Sequence, residues 1–429
     1  MKVLGIITEY NPFHHGHRLH IETSLEKSQA DACICIMSGA FLQRGEPAIV
    51  NQWARTEMAL KSGVDLVIQL PVSYSVRSAE YFAFGAIKLL EESKIVDSLC
   101  FGSELGEITP LEQIAKIIAG EPEEISREIK ARLSKGDSYP LARSQALVGY
   151  IEANQKIFQS SIEKYIQILN NPNNILGIEY IKALIQLKSS IIPLTIKREG
   201  SGYHSQDIKT LASASAIRSN LQKNQIQNKE LIDKRLKKAL PTESCKILNR
   251  EFQQGKGPIF YEDFSNSLLT LLRRVGRRDL KNFEDIIGGL ENRIKDASIE
   301  AESLIKLISL INTKCFTQTR IQRILTQILL NLDQITLKKF DNSGGPQYLR
   351  VLGFNHKGRK LLKLIKEKST LPLITKVANH YRSNQEATSL LQQMLSIDIK
   401  ANNIYALAYP NKYFRRGNID FRKQPIIIK

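Results

Sequence analysis

The first half of the chain alternates short apolar runs with helix-like stretches. The runs are rich in Val, Ile and Leu and cover residues 3–8, 32–37, 64–70, 96–102 and 191–198. Runs of this length are typical of strands that are buried on both faces of a parallel sheet. The helix-like stretches between them cover residues 16–27, 50–62, 79–92, 110–119 and 175–187. This alternation predicts an α/β, Rossmann-like domain that binds ligands at the carboxyl ends of its parallel strands.

The second half has a different pattern. From about residue 221 to residue 397 it is mostly helical, with apolar residues at i, i+3 and i+4 as in 304–311 and 321–332. The stretch 120–170 is polar and helical and is interpreted as an insertion. We therefore predict an α/β domain over residues 1–225, with a helical insertion near 120–170, and a mostly α-helical domain over residues 226–429.

The charged residues are also distributed unevenly between the two halves of the chain. The chain has a formal net charge of +18; residues 1–218 hold 23 Lys and Arg against 24 Asp and Glu, and residues 219–429 hold 38 against 19. A surface with such a basic excess favours a polyanion, because each neutralised phosphate releases counterions. The alternative is a generally basic, solvated helical domain. A membrane partner is disfavoured, because no long basic amphipathic helix with a Trp or Phe face stands out.

Composition excludes several other classes of protein. No apolar run approaches the ~18 residues of a membrane span, and the amino terminus lacks the layout of a signal peptide. The five cysteines are scattered, without a C-x-x-C pair for zinc. We therefore expect a cytoplasmic protein without a disulfide framework or a metal centre of its own.

A histidine-rich turn, EYNPFHHGH at residues 9–17, follows the first predicted strand and opens the first predicted helix. Gly16 lets the backbone approach a ligand closely, and a helix N-terminus attracts anions. The imidazoles of His14 and His17 could donate hydrogen bonds to phosphate oxygens and stabilise charge that develops on phosphorus. The alternatives are a loop without a ligand or a chance metal site.

A second motif, LASASAIR at residues 211–218, places small hydroxyl residues at a helix start. Ser213 or Ser215 would cap the helix, and Arg218 would pair with a departing pyrophosphate. Ser-Ala-Ser is also simply a good N-cap, so this motif indicates a phosphate site only in combination with the histidine-rich turn.

A third candidate is the loop after the second predicted strand. Arg44 could hold a carboxylate or a phosphate through its forked donors, and Gln43 could bond a base edge. The alternative is a structured loop in which Arg44 pairs with Glu46 or Glu57.

The first two motifs together resemble the nucleotidyltransferase superfamily that is related to class I aminoacyl-tRNA synthetases. Several further stretches resemble one branch, the bacterial tRNA(Met) cytidine acetate ligases. These stretches are EYNPFH at 9–14, MSGAFLQRGEPA at 37–48, SAEYFA at 78–83, FGSE at 101–104, NNILGIEY at 173–180, TIKR at 195–198 and LPLITK at 371–376. The chain departs from the pattern at His15, where the family commonly has Asn, and at Ala214, where the wider superfamily usually has Ser.

The resemblance implies a reaction and its partners. ATP and acetate would give acetyl-adenylate and pyrophosphate, and the acetyl group would pass to N4 of the wobble cytidine of elongator tRNA(Met). Mg²⁺ would accompany the ATP phosphates, acetyl-coenzyme A would not be needed, and no protein partner is expected. Residues 1–225 would then be the nucleotidyltransferase domain and residues 226–429 the tRNA-binding domain. Two alternatives remain open: an adenylyltransferase that acts on another small phosphate or carboxylate, and a non-catalytic RNA-binding protein.

The resemblance also assigns residues to the site. His14, His17 and Arg198 would be catalytic, and Gly102, Asn173 and Arg198 would complete the nucleotide pocket. His204 is a candidate to reach the cytidine, and the alternative is a solvent-exposed loop histidine. Read without the resemblance, Gly102 could be a strand-end turn, Asn173 an N-cap and Arg198 a surface charge. The loop that would cradle ATP comprises Ile7, Thr8, Glu9, Tyr10, Asn11, Pro12, Phe13, His14, His15, Gly16, His17, Arg18, Leu19 and His20. Further phosphate or substrate contacts would come from Gln43, Arg44, Ser213, Ser215 and Arg218.

Overall fold

A computed structural model describes residues 1–155, 158, 160–198 and 212–429. His204 lies outside the described residues. The strands are β1 (Val3–Thr8), β2 (Ala32–Ser38), β3 (Leu66–Leu70), β4 (Ser98–Ser103), β5 (Ile192–Lys197), β6 (Leu349–Phe354), β7 (Leu373–Ile374) and β8 (Ile426–Ile427). The helices of the first half are α1 (His15–Ser28), α2 (Gln52–Leu60), α3 (Val72–Ser75), α4 (Ala79–Ser93), α5 (Ile108–Gly120), α6 (Glu123–Ser134), α7 (Tyr139–Ala153), α8 (Ile162–Leu169), α9 (Pro172–Gln186) and α10 (Ala214–Ile226). The helices of the second half are α11 (Lys234–Ala239), α12 (Thr242–Gln253), α13 (Ser265–Arg274), α14 (Arg277–Leu280), α15 (Leu290–Glu300), α16 (Leu304–Ile311), α17 (Gln318–Leu330), α18 (Gln334–Asn342), α19 (His356–Lys368) and α20 (Leu390–Ala406).

The strands form one sheet of order β5-β4-β1-β2-β3-β6-β7, with β8 paired to β6. Strands β1 to β5 are parallel to one another, which confirms the predicted α/β fold. Hydrophobic clusters cover both faces of the sheet, and β2 and β3 are buried along their whole length. The expectation of burial on both faces is wrong for β5, because this strand lies at the edge of the sheet and has solvent-exposed ends.

The second half is mostly helical, but it also supplies three strands that the sequence pattern did not predict. β6 lies antiparallel to β3, and β7 and β8 lie parallel to β6. The predicted border near residue 225 therefore does not divide the sheet from the second half. The physical reason is that the outer edge of the buried β3 would otherwise keep unpaired backbone groups, and β6 satisfies them.

The predicted insertion and the buried side chain of Arg77 both bear on how the chain is arranged around the sheet. The stretch predicted as an insertion holds α6, α7 and α8 between β4 and β5. Arg77 is fully buried between the halves, where it forms ion pairs with Glu284 at 2.6 Å and Asp341 at 2.8 Å. Its guanidinium also lies 3.4 Å from the ring centre of Tyr81. This buried cation fixes the second half of the chain against the first.

Candidate functional site

The histidine-rich turn lies at the carboxyl end of β1, where it starts α1. His14 is the N-cap, and its Nδ1 accepts a hydrogen bond from the backbone N–H of Gly16 at 3.1 Å. The backbone N–H of His14 donates in turn to Nδ1 of His17 at 3.3 Å. The two imidazole rings stack with their centres 3.7 Å apart. This capping box fixes both rings at the N-terminus of α1.

The protonation of these histidines follows from their contacts. In each ring Nδ1 is the acceptor, so a neutral ring carries its proton on Nε2. Burial and, after it, the charge of Arg198 lower the pKa of His14 to about 3. Burial and then the neighbouring His14 hold the pKa of His17 well below its usual range. The site thus presents two neutral Nε2–H donors at a helix N-terminus, which suits them to hydrogen-bond an anion.

Arg198 brings the later motifs to the same place. It follows β5, and its guanidinium donates to Oδ1 of Asn173 at the start of α9, at 3.3 Å. A Cβ on Gly102 would lie 3.0 Å from the side chain of Arg198 and 3.7 Å from that of His20, so glycine leaves room between them. Burial, followed by the charge of Arg198, lowers the pKa of His20 to about 4. Three residues from separate parts of the sequence therefore meet beside the histidines.

The N-terminus of α10 closes another side of the site. The hydroxyl of Ser213 caps it by accepting from the N–H of Ala216 at 3.2 Å. Arg218 donates to the carbonyl oxygen of Asn11 and to Oε2 of Glu46, both at 3.0 Å. Arg218 therefore connects α10 to the turn after β1 and to the loop after β2.

The loop after β2 contacts the turn through a half-buried carboxylate. Glu9 accepts from the backbone N–H of Gln43 at 2.7 Å, and the side-chain amide of Gln43 donates to the carbonyl oxygen of Arg77 at 3.1 Å. Burial raises the pKa of Glu9, and this effect is opposed by the Gln43 hydrogen bond and by the charges of Arg44 and Arg218. Glu46 forms an ion pair with Arg218 at 3.0 Å, and Glu57 forms one with Arg250 at 2.8 Å.

One cavity of about 1380 Å³ connects these residues. It exceeds the roughly 300–1,000 Å³ of ordinary small-molecule pockets. Its wall includes most of the predicted site residues: Ile7, Thr8, Glu9, Tyr10, Asn11, His14, Gly16, His17, Leu19, His20, Gln43, Arg44, Gly102, Asn173, Arg198, Ser213, Ser215 and Arg218.

Four predicted ATP contacts are not part of that wall. Phe13 is buried in the hydrophobic cluster beside the sheet, and Pro12 is buried next to it. Arg18 lies on the surface in an ion pair with Glu22 at 2.8 Å. His15, the position at which the chain departs from the family pattern, is also outside the wall.

The wall of this cavity also includes residues that sequence reasoning missed, and we call the part of the cavity that they line the second chamber. They belong to α7, to the outer part of α9 and to two segments of the second half, one between residues 285 and 288 and one between residues 315 and 323. Glu179 and Arg143 form an ion pair there at 2.6 Å. Glu179 lies within the stretch at 173–180 and Glu80 within the stretch at 78–83, so the family-like stretches already contained two of the chamber residues. Arg143 lies in the insertion and had no sequence pattern to mark it.

Two classes of site are missing from the described ranges. Residues 1–155, 158, 160–198 and 212–429 contain no group of three or more His, Cys, Asp or Glu side chains placed to hold a metal ion. Within the same ranges, no helix has the length and apolar character needed to cross a membrane.

Comparison with known proteins identifies relatives along the whole chain. The sequence model of the HIGH nucleotidyl transferase family matches residues 1–420. The chain is 44% identical to the tRNA(Met) cytidine acetate ligase of Halothermothrix orenii over 98% of each chain. It is also 44% identical to the protein of the same name from Acetivibrio thermocellus over 100% of each chain.

The fold agrees with two solved structures. Thermotoga maritima TmcAL bound with alpha-thio ATP is 34% identical, and the two proteins superpose over 100% of both chains with a TM-score of 0.90. The apo form of the same protein, at 33% identity, gives a TM-score of 0.92 over the same coverage. The fold class predicted from the sequence is therefore confirmed.

Proposed function

Because this chain belongs to the tRNA(Met) cytidine acetate ligase family of HIGH nucleotidyl transferases, we propose that it activates acetate with ATP and transfers the acetyl group to a tRNA cytidine. The acceptor is N4 of the wobble cytidine of elongator tRNA(Met). A tRNA substrate would place the reaction in the cytoplasm. The observation that carries this proposal is one cavity whose wall includes both the histidine-rich turn and the residues of the second chamber.

In the first half-reaction an acetate oxygen attacks the α-phosphorus of ATP, and pyrophosphate leaves. The neutral Nε2–H groups of His14 and His17 would donate to phosphate oxygens, and Arg198 would supply positive charge beside them. Positioning and charge stabilisation supply most of the catalysis in such a step. The N-terminus of α10 and Arg218 would bind the departing pyrophosphate. Arg44 or Gln43 would contact acetate or the tRNA.

Mg²⁺ would arrive with ATP. Three carboxylates of the cavity wall are already engaged, Glu9 by the backbone N–H of Gln43 at 2.7 Å, Glu46 by Arg218 at 3.0 Å and Glu104 by Asn173 at 2.6 Å. These residues therefore fit Mg²⁺ held mainly by phosphate oxygens, which is common for this ion. When bound, Mg²⁺ would neutralise phosphate charge.

In the second half-reaction N4 of cytosine attacks the acetyl carbonyl carbon, the bond from that carbon to the phosphate oxygen breaks, AMP leaves with the electron pair, and N4 releases one proton to solvent. This amine is a weak nucleophile, so the reactive adenylate must be held close to it and away from water. A base of the anticodon loop can be splayed out of its stack into a pocket. The second chamber offers the space for that base.

The basic second half would bind the tRNA backbone. Residues 219–429 carry a net charge of +19, and Arg274 and Arg278 are exposed a few residues before the segment 285–288 that lines the chamber. Arg273 is different, because it donates to the carbonyl oxygens of Ser298 and Ala301, both at 2.9 Å. Arg274 and Arg278 are therefore better candidates for phosphate contacts than Arg273.

The test combines the purified protein with ATP, Mg²⁺, radiolabelled acetate and bulk bacterial tRNA, followed by nuclease digestion and nucleoside chromatography. We expect label in N4-acetylcytidine, and about 100-fold less or lower with a His14→Asn variant. Acetate-dependent ATP–pyrophosphate exchange without label in tRNA would indicate another adenylyltransferase of the superfamily. RNA binding without any acetate-dependent chemistry would indicate a non-catalytic binding protein.

A further inference from the structure

One arginine in the wall of the second chamber donates no hydrogen bond within the described ranges. Arg323 lies on α17, and 13% of its side chain is exposed. Its Nε is enclosed by the protein, whereas the terminal nitrogens Nη1 and Nη2 keep accessible surface. In the part of the chain that the structure describes, the one carboxylate within 4 Å is that of Asp285, whose Oδ2 is 3.8 Å from Nη2. That separation is too long for a hydrogen bond.

The two other arginines of the second chamber are already engaged. Arg320 lies one turn earlier on α17, and its Nη2 donates to the carbonyl oxygen of Asp285 at 2.6 Å. Its guanidinium also lies 5.3 Å from the ring centre of Phe316. Arg143 forms its ion pair at 2.6 Å. Arg323 is therefore the arginine of this chamber whose accessible donors are available to a ligand.

The chemistry of Arg323 specifies an anion as that ligand. Burial lowers the pKa of Arg323, and the charge of Asp285 opposes this effect. An arginine nevertheless stays protonated in proteins, so a mostly buried cation is left without hydrogen bonds. The two terminal nitrogens form a planar fork that matches two oxygens of a phosphate or a carboxylate.

The position of Arg323 favours a phosphate of RNA over one of ATP. The nucleotide end has donors of its own in the histidine-rich turn and in the N-termini of α1 and α10. Arg323 belongs to the second half, which carries the net charge of +19. Asp285 beside it follows the exposed Arg278 by only a few residues. An RNA strand that binds this basic surface can therefore continue to Arg323 in the chamber.

Arg323 is also held close to the loop that borders the nucleotide end. A Cβ on Gly45 would lie only 2.6 Å from the backbone nitrogen of Arg323, so the loop after β2 packs directly on α17. The hydroxyl of Thr326 donates to the carbonyl oxygen of Gly45 and fixes this contact. The next residue of the loop, Glu46, binds Arg218. A phosphate bound at Arg323 would thus be held on a rigid part of the site.

We propose that Arg323 binds a backbone phosphate of the tRNA anticodon loop and thereby positions the wobble cytidine for acetyl transfer. The proposal rests on the function proposed above. Nη1 and Nη2 would donate to two oxygens of one phosphodiester. Contacts to the RNA backbone fix the register and the orientation of the strand but do not read its sequence. Arg323 is therefore a positioning residue, and the reacting atoms are left to other groups.

The first test uses Arg323→Met, which keeps a long side chain but removes the charge and the donors. Acetate-dependent ATP–pyrophosphate exchange without tRNA should stay within about twofold of the parent protein, which also reports that the variant is folded. The Kd for tRNA(Met) should rise by about tenfold or more. The slope of log K against the logarithm of salt concentration should become about one unit less steep. Binding and slope equal to those of the parent would overturn the proposal.

Exchange also distinguishes the two sources of phosphate. If Arg323→Met raised the KM for ATP or acetate by about tenfold and left tRNA binding unchanged, Arg323 would belong to the nucleotide end, and the proposal would be overturned.

The second test separates a phosphate contact from a structural role. An uncharged methylphosphonate replaces the phosphates of an isolated anticodon stem–loop one at a time. At one position the replacement should weaken binding to the parent by about tenfold, but binding to Arg323→Met by less than about twofold, because the partner of that phosphate is already lost. The proposal would be refuted if every replacement weakened binding to both proteins by the same factor.

Lys338→Met is the matched control for net charge. Lys338 is exposed on α18, and among the described residues it is not part of the cavity wall. This variant should bind tRNA within about twofold of the parent. A loss equal to that of Arg323→Met would show that only the total charge matters, against the proposal. If the parent itself neither binds nor acetylates tRNA, the proposed function fails instead, which keeps the two failures distinct.

Discussion

His14 combines two jobs that a pair of substitutions can separate. Its Nδ1 caps α1 through the N–H of Gly16, and its Nε2–H is the donor proposed for a phosphate oxygen. Asn is a preferred N-cap residue, so His14→Asn keeps an acceptor for the helix but loses the distant donor. His14→Ala loses both. The comparison therefore measures the catalytic donor apart from the stability of the helix.

The expected magnitudes differ between the two variants. Loss of one donor to a charge that develops in the transition state costs about 100- to 1,000-fold in rate, so acetate-dependent ATP–pyrophosphate exchange should fall by that factor in both. Because His14→Ala also loses the cap, its free energy of unfolding should be ~1 kcal/mol lower than that of the parent protein. His14→Asn should stay within about 0.5 kcal/mol of the parent, because the cap remains.

The assays are isotope exchange, urea unfolding and tRNA binding by filter retention. Binding of tRNA should be nearly unchanged in both variants, because the basic surface lies in the second half. Exchange in His14→Asn within about tenfold of the parent would refute the donor role. A loss of tRNA binding by a folded His14→Asn would refute the division of labour between the two halves.

Three further predictions test other parts of the structure. Arg274→Glu should weaken tRNA binding, and the slope of log K against the logarithm of salt concentration should become about one unit less steep. ATP–pyrophosphate exchange should stay at the parent rate. Equal losses of binding and exchange would contradict this prediction. Arg77→Met leaves the Glu284 and Asp341 carboxylates without their buried partner, so urea unfolding should show a loss of about 3 kcal/mol, and a loss under about 1 kcal/mol would argue against Arg77 as the tie between the halves. The pKa values of His14, His17 and His20 are lowered in the folded protein, so below about pH 6.5 these rings bind protons when the protein unfolds. The free energy of unfolding should therefore be fully retained above about pH 6.5. Below that pH it should fall by up to ~1.4 kcal/mol per pH unit for each histidine. Urea midpoints at several pH values measure this effect, and a decline of the same size in His20→Asn would contradict the contribution of that ring.

The sequence predicted the first five strands because each is a short run rich in apolar residues and the runs alternate with helix-like stretches. The strands β7 and β8 were missed because each is only two residues long, which is too short to show an alternation of apolar and polar positions. β6 was missed because its apolar run, Leu349–Phe354, lies within a region dominated by helical spacing. Only the contact with β3, distant in the sequence, makes it a strand.

The nucleotide end of the site was predictable because its residues form short motifs at strand ends and helix starts. His14, Gly102, Asn173 and Arg198 all line one cavity, as expected from parallel strands that end at the same edge. The second chamber was not predictable in this way. The pair formed by Glu179 and Arg143 depends on how α7 packs against α9, and no local pattern encodes that packing.

The antiparallel pairing of β6 with β3 has a consequence for how this enzyme can be divided. A fragment that ends near residue 225 would keep the turn at His14 but would leave the outer edge of Leu66–Leu70 without its partner. Such an exposed, apolar edge is a template for strand addition between molecules, so the fragment should self-associate rather than work as a separate adenylating module. The half that would activate acetate and the half that would bind tRNA thus contribute strands to one sheet, so neither half can be exchanged without rebuilding that sheet.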